Sequence, residues 1–265
     1  MKSIAATLLC FFLAAPVALA GETDWVELAP GVTARLVSSD TPAADGLWMG
    51  LEIDMPADTK TYWRVPGESG IPLSLDISAS RDIAALEMAW PFPQRETGNG
   101  YVDHAYYGRV LLPFKLSISG ASPRLDARVM LGICSEICIP ASAHLVLAPD
   151  LAAPDSANGF RIRQALADVP LPIEGHEILG SARFDADSGT VMVDRIDAGF
   201  DPASMIAELD GHTVVFDQPR LSADGATIAF SLLGRIGPDL LDGADMRFSY
   251  QTSDGPYEVT RPLGD

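Results

Sequence analysis

Apolar and polar residues alternate along much of the chain between residues 32 and 147. Val32-Thr33-Ala34-Arg35-Leu36-Val37 is one such run, and Leu47-Trp48-Met49-Gly50-Leu51-Glu52-Ile53 is the next. A period of two sends successive side chains to opposite faces of a strand, so these runs predict half-buried β-strands. Shorter runs follow at 62–65, 73–77, 85–90, 110–116 and 125–129. Turn formers separate them: Pro66-Gly67, Ser69-Gly70, Pro91 to Pro93 and Gly98-Asn99-Gly100. Short strands at this spacing predict a mainly β protein, with an immunoglobulin-like antiparallel β-sandwich over residues 21–150. The cysteine–tryptophan pattern of antibody domains is absent, so the expectation concerns the class of fold only.

Pro149 to Gly159 has the composition of a linker. Residues 160–169 predict a short helix, with Phe160, Ile162, Leu166 and Val169 apolar, Ser156 or Asn158 near its start, and Pro170 and Pro172 ending it. Linker and helix together occupy 151–170. Strand patterns resume at 178–184, 190–193, 213–216, 226–233, 245–250 and 257–260. They predict a second, smaller β-rich domain over 171–265. It contains no cysteine, and its expected role is to dock, space or recognise a partner.

The first 20 residues read as a signal peptide. Lys2 is the charged end, Ile4 to Leu13 the apolar core and Ala18-Leu19-Ala20 the small-residue cleavage site. Cleavage near Ala20 removes Cys10. No later stretch reaches the 18 or so apolar residues of a membrane span. The expected mature protein is therefore soluble and exported to the periplasm, where disulfides persist.

The formal charge is −18, with 36 acidic and 18 basic residues spread over both halves. No basic patch is present, which argues against nucleic acid and anionic lipid as partners. Acidity of this kind reads as solubility.

Candidate chemistry is confined to Cys134 and Cys138, which flank Ser135-Glu136-Ile137 between two apolar runs. The pattern reads as two strands joined by a cysteine-bearing turn. A disulfide here closes a ring of about five residues and stabilises by roughly 2 kcal/mol, against about 4.7 kcal/mol for a 100-residue loop. That is a weak staple for a long chain, and labile or exposed disulfides tend to be the catalytic or regulatory ones. A structural disulfide in an ordinary sandwich fits the spacing as well. Glu136 lies between the sulfurs, and no Lys, Arg or His stands within five residues of either. Without a local cation the thiols are expected to titrate near or above their ordinary range.

Other chemistry finds little support. His104, His144, His176 and His212 do not sit at ligand spacing, and a zinc site needs more ligands than one histidine and the two cysteines supply. Soft ligands suit Cu(I), but Met49, Met55, Met88, Met130, Met192, Met205 and Met246 are scattered over strand positions and read as core residues. There is no Gly-x-Ser-x-Gly elbow, no phosphate-binding glycine loop and no Cys-x-x-Cys motif. Neither a metal nor a cofactor is expected.

Lys60-Thr61-Tyr62-Trp63-Arg64-Val65-Pro66-Gly67, Ser69-Gly70-Ile71-Pro72, Trp90-Pro91-Phe92-Pro93, Tyr107-Gly108, Leu112-Pro113 and Cys134-Ser135-Glu136-Ile137-Cys138-Ile139-Pro140-Ala141 follow one another in that order. Through these words the chain from about Thr61 to Leu147 resembles the N-terminal periplasmic domain of the transmembrane thiol:disulfide interchange protein DsbD, and more closely that of its relative, the suppressor of copper sensitivity protein ScsB. The resemblance implies an immunoglobulin-like sandwich in which Cys134 and Cys138 exchange electrons with partner proteins. It also implies that Cys138 attacks first. An aromatic-bearing cap loop would shield the pair, its candidate being His104 to Gly108 with Tyr106 and Tyr107. The implied partners are periplasmic thioredoxin-like or disulfide-bearing proteins and a membrane thiol reductase. The chain shows no membrane electron channel and no thioredoxin-like part, so reducing power is expected to arrive in trans. The leading expectation is thus a periplasmic thiol–disulfide exchange module, an electron-transport protein of the protein-disulfide reductase type, in metal-stress (copper tolerance) or cytochrome-maturation pathways. Two alternatives stand beside it: a non-catalytic partner-binding sandwich whose disulfide only pins a hairpin, and a periplasmic Cu(I)-binding protein that uses the reduced pair.

Overall fold

The computed structural model describes residues 21–43, 46–175, 178–234, 240, 241 and 243–264. The expected signal peptide, residues 1–20, and His176 lie outside them. Strands dominate. The N-terminal part contains β1 (Val26–Ala29), β2 (Val32–Ala43), β3 (Gly46–Asp54), β4 (Lys60–Gly67), β5 (Ser74–Asp76), β6 (Ile83–Met88), β7 (Gln94–Glu96), β8 (Asp103–Tyr107), β9 (Val110–Ile118), β10 (Leu125–Cys134) and β11 (Cys138–Leu147). They form two sheets with strand orders β1-β2-β3-β9-β6 and β11-β10-β4-β8-β7, with β5 added on β10. All pairings in both sheets are antiparallel. The inward residues of the alternating runs meet between the sheets. Leu36, Leu51, Ile53 and Phe114 of one face Trp63, Leu125, Val129 and Leu131 of the other, all buried. This is the immunoglobulin-like sandwich that the period of two predicts.

The helix α1 (Ser156–Ala167) starts four residues earlier than its apolar periodicity suggests. Asp155 supplies the reason, because its carboxylate accepts from Asn158 N at 2.9 Å and caps the first turn. The helix packs across β2, β3 and β9. Arg161 pairs there with the buried Glu52, which also accepts from Arg35 Nε at 2.7 Å. Burial works against the Glu52 charge, but the two guanidinium groups outweigh it and hold the carboxyl below its usual range.

Beyond α1 come β12 (Leu171–Ile173), β13 (Leu179–Asp185), β14 (Thr190–Arg195), β15 (Ile206–Leu209), β16 (Val215–Phe216), β17 (Arg220–Leu221), β18 (Thr227–Leu233), β19 (Asp245–Thr252) and β20 (Gly255–Gly264). They build one sheet, β15-β19-β20-β13-β14-β18-β16, with β12 added on β20 and β17 on β18. The β12–β20 and β13–β20 pairings are parallel. A second apolar core, with Phe230, Phe248, Tyr250 and Met246 at its centre, belongs to this sheet.

Two arginines join the halves. Arg64 of β4 makes a fork on Glu208, with Nε to Oε2 at 2.8 Å and Nη2 to Oε1 at 2.8 Å, and its Nη2 also reaches Glu258 at 3.0 Å. Arg95 of β7 donates to the carbonyls of Ala203, Ser204 and Met205. Ile206 packs into the core of the first sandwich. The strand that carries Arg64 is also the neighbour of the cysteine hairpin, so the second β unit is fastened close to the candidate chemistry.

Candidate functional site

Strands β10 and β11 form a hairpin in continuous register from Leu125↔Leu147 to Cys134↔Cys138. The two cysteines are its last cross-strand pair, with Cα atoms 4.1 Å apart, and they are disulfide-bonded. Strand order decides their surroundings: as a directly opposed pair they share one face of the hairpin, but β10 lies between β11 and β4 while β11 is the sheet edge. Cys134 ends a strand whose closing residues, Leu131 to Cys134, are all buried, and it is only 2% exposed. Cys138 begins β11 in the open, beside Ile137 at 75% exposure. Met130 and Ile139 are each about two-fifths exposed; Met130 lies on the same face of the hairpin as the cysteines, and Ile139, opposite Ile133, on the other. Met130 thus departs from the core role expected of it. It falls on the outward phase of β10, opposite Ser142.

The inner wall of the site comes from β4. Lys60 is the cross-strand neighbour of Cys134 on one side and of Tyr107 on the other. Thr61 Oγ1 donates to Gly132 O at 2.9 Å and fastens β4 to β10 two residues before Cys134. Gly132 lets Ile71 approach closely there, since a Cβ would stand 3.0 Å from Ile71 Cβ and 3.2 Å from its backbone N and O. Tyr62 is fully buried, and its hydroxyl lies 2.8 Å from Cys134 Sγ and 3.3 Å from Cys138 Sγ. Disulfide sulfurs carry no hydrogen, so the tyrosine is the donor to both. Burial raises the Tyr62 pKa, which keeps that proton on the oxygen.

Behind Tyr62 sits a buried charge cluster. Lys60 Nζ donates to Glu96 Oε2 at 2.5 Å and to Asp103 Oδ2 at 3.1 Å, and lies 5.5 Å from the Tyr62 ring centroid. Ser69 donates to Asp103 through both its N–H and its hydroxyl. Tyr107 OH donates to Glu96 Oε2 at 2.6 Å. Burial opposes the Lys60 charge, but its bonds to Glu96 and Asp103 prevail and raise its pKa. The tertiary fold therefore does bring a cation beside Cys134. That cation is held by two carboxylates, so the cluster carries about one net negative charge and offers little stabilisation to a thiolate. The remaining polar support for charge on Cys134 is the Tyr62 hydroxyl.

Tyr106 and Tyr107 are the last two residues of β8 and not part of a loop. Tyr106 is buried and donates to Pro91 O at 2.7 Å. Tyr107 is half-buried and packs on the cluster of Tyr62, Ala105 and Cys134. His104, also on β8, is buried with Nδ1 3.1 Å from Val65 O and its ring edge-on to Trp63 at 5.6 Å. Burial, with Arg95 adding to it, lowers its pKa to about 4, so it is a neutral core histidine at pH 7. Among the described residues, no group of three or more His, Cys, Asp or Glu side chains is placed to hold a metal ion.

Lys60 and Tyr62 occur in the sequence motif but carry no recognisable role there. Period-two alternation places them on one face of β4, yet nothing local says that this face meets Cys134, 72 residues further along. Glu96 and Asp103 leave no sequence signal, and Ser69 appears in the sequence only as part of a turn motif.

The family model for the N-terminal part of thiol:disulfide interchange protein DsbD matches residues 26–150. The crystal structure of the N-terminal periplasmic domain of ScsB from Proteus mirabilis superposes with a TM-score of 0.72 at 20% identity, covering 93% of this chain and 99% of that one. Both β units and their connection thus share its fold. The Pseudomonas aeruginosa CupB2 chaperone aligns over 84% of this chain and 96% of its own at 14% identity, with a TM-score of 0.20, too low to describe a shared fold. No curated protein sequence matches the chain.

Proposed function

Because residues 26–150 form a DsbD-like N-terminal domain, we propose that the protein is an exported thiol–disulfide exchange module acting through Cys134 and Cys138. The observation that carries this reading is the asymmetry of the pair. Cys138 is open to solvent, Cys134 is buried, and a buried hydroxyl bonds both sulfurs.

In the reductive half-reaction a partner thiolate attacks Cys138 Sγ, the sulfur of the exposed member of the pair. The Cys134–Cys138 bond breaks, a mixed disulfide forms on Cys138, and its electron pair leaves as the Cys134 thiolate, which Tyr62 O–H stabilises. The partner's second thiolate then attacks its own half of the mixed disulfide and releases Cys138. The pair is now reduced by two electrons and the partner oxidised. Run in reverse on a substrate disulfide, Cys138 attacks and Cys134 resolves. Solvent supplies and takes the protons. Ile137, the exposed neighbour of Cys138, gives a partner an apolar landing point, and Met130 lies further along the same face of the hairpin. Tyr107, held by Glu96 against the Tyr62–Cys134 cluster, shields the inner side of the pair, and Tyr106 anchors that strand through Pro91. In this reading the compartment is the periplasm. The partners are a membrane thiol reductase on one side and thioredoxin-like or disulfide-bearing proteins on the other.

Mixed-disulfide trapping tests the assignment. Cys134→Ser keeps the accessible attacker and loses the resolver, so it accumulates mixed disulfides with periplasmic proteins. Cys138→Ser does not. If neither variant traps a partner and the pair has a reduction potential below about −300 mV, the disulfide is structural and the module a binding protein.

A further inference from the structure

On the far side of the first sandwich, α1 does not lie flush on the sheet. Between it and β2 and β3 is a cleft of about 410 Å3, within the range of sites that enclose small molecules. Its walls are mostly apolar, formed by Trp48 from β3, Pro154, and Ile162 and Leu166 from the helix. Ser156, Gly159, Arg163 and Leu166 recur at helical spacing, so one face of α1 looks into the cleft. Asn158 and Arg161 anchor the helix, through Gly21 O and Asp155 and through Glu52.

Two features bear on what the cleft accommodates. Gly159 lies within the 12-residue helix, where glycine costs about 1 kcal/mol relative to alanine. Close packing does not demand it. A Cβ there would meet only Arg163 Nη1 at 3.5 Å and Ser39 Cβ at 3.7 Å, ordinary contacts. The missing side chain instead leaves the floor of the cleft open. The second feature is Arg163, an exposed guanidinium at the rim. It has no ion pair or hydrogen bond among the described residues, in a chain with twice as many acidic as basic residues. The nearby Asp155 carboxylate is occupied in capping the helix and in accepting from Asn158 Nδ2 at 3.1 Å.

We propose that the cleft between α1 and the β2–β3 pair binds a small amphiphilic monocarboxylate, its apolar body against Trp48, Ile162 and Leu166 and its carboxylate on Arg163. None of the residues lining the cleft belongs to the cluster around Cys134.

Octanoate is the probe, titrated into the oxidised protein by calorimetry and by two-dimensional amide NMR, with 1-octanol as the uncharged match. The expected result is one saturable site, with shifts confined to residues around Trp48 and α1. Octanol should bind at least about tenfold more weakly, as expected for loss of a charge-assisted bond. Arg163→Gln, at an exposed position, should weaken octanoate by a similar factor and leave octanol unchanged. Gly159→Leu should abolish both. If Gly159→Leu does not fold, Arg163→Gln still decides. The proposal is overturned if octanoate fails to saturate at millimolar concentration, binds Arg163→Gln as tightly as the parent, or shifts amides outside the cleft.

Discussion

Replacing Tyr62 by Phe removes one oxygen and keeps the ring that covers the sulfurs. The hydroxyl is the donor to Cys134 Sγ at 2.8 Å. When Cys138 is attacked, negative charge gathers on Cys134 Sγ, directly in front of that donor. A hydrogen bond to a charged group contributes about 1.5–3 kcal/mol. With about half the charge developed at the transition state, as thiol exchange typically shows, the loss is about 0.8–1.5 kcal/mol in the barrier. Reduction should slow by about 4- to 12-fold. In the reduced protein the full bond is lost, so the Cys134 thiol should titrate about 1–2 units higher than in the parent. Pseudo-first-order reduction by dithiothreitol, followed by quenched thiol labelling, measures the first effect. Ultraviolet thiolate absorbance against pH measures the second. A rate within about twofold of the parent, with an unshifted titration, would refute the role given to Tyr62. Faster reduction would be worse for it, since the hydroxyl would then be guarding the bond and not assisting its cleavage.

Arg64→Met leaves Glu208 buried without its guanidinium partner. Breaking a buried pair in this way costs about 3–5 kcal/mol, read as a lower denaturation midpoint. A loss under about 1 kcal/mol would mean that the ion cluster does not hold the two β units together. His104 gives a pH dependence. Its native pKa of about 4 lies below the ordinary 6.5, so between these values the unfolded chain binds a proton that the native state does not. Its contribution is complete above pH 6.5 and is lost as pH falls, by about 2 kcal/mol at pH 5. Denaturant titrations at pH 7.5 and 5 test this, and equal stability at both would exclude it. Tyr107→Ala opens the inner side of the pair, so the reduced protein should oxidise faster with a small-molecule oxidant. An unchanged rate removes the shield.

Much of the β architecture was legible locally. The alternation at 32–37, 47–53 and 125–129 reflects side chains that face a core on one side only, and a period of two records this in the sequence itself. The cysteine hairpin was legible for the same reason, since both of its strands are contiguous with the turn. Strands that break the rule were not. Asp103 and His104 open β8 with polar side chains that are nonetheless buried, because Lys60 and Val65 O wait for them across the sheet. Glu208 sits inside β15 because Arg64 reaches it from the other β unit.

By itself, then, the chain's local pattern determined which segments extend, where they turn and that two sulfurs stand at one turn. Tertiary structure alone decided that β4 lies beside β10, and with it that Tyr62 bonds the sulfurs and that the nearby Lys60 is already neutralised. It also decided that one sulfur is buried and the other open, and that α1 leaves a cleft. Alternation selects the face of each strand, a short-range matter of backbone geometry. Which strands become neighbours across some 70 residues depends on how all the buried faces close together, and no local window contains that information.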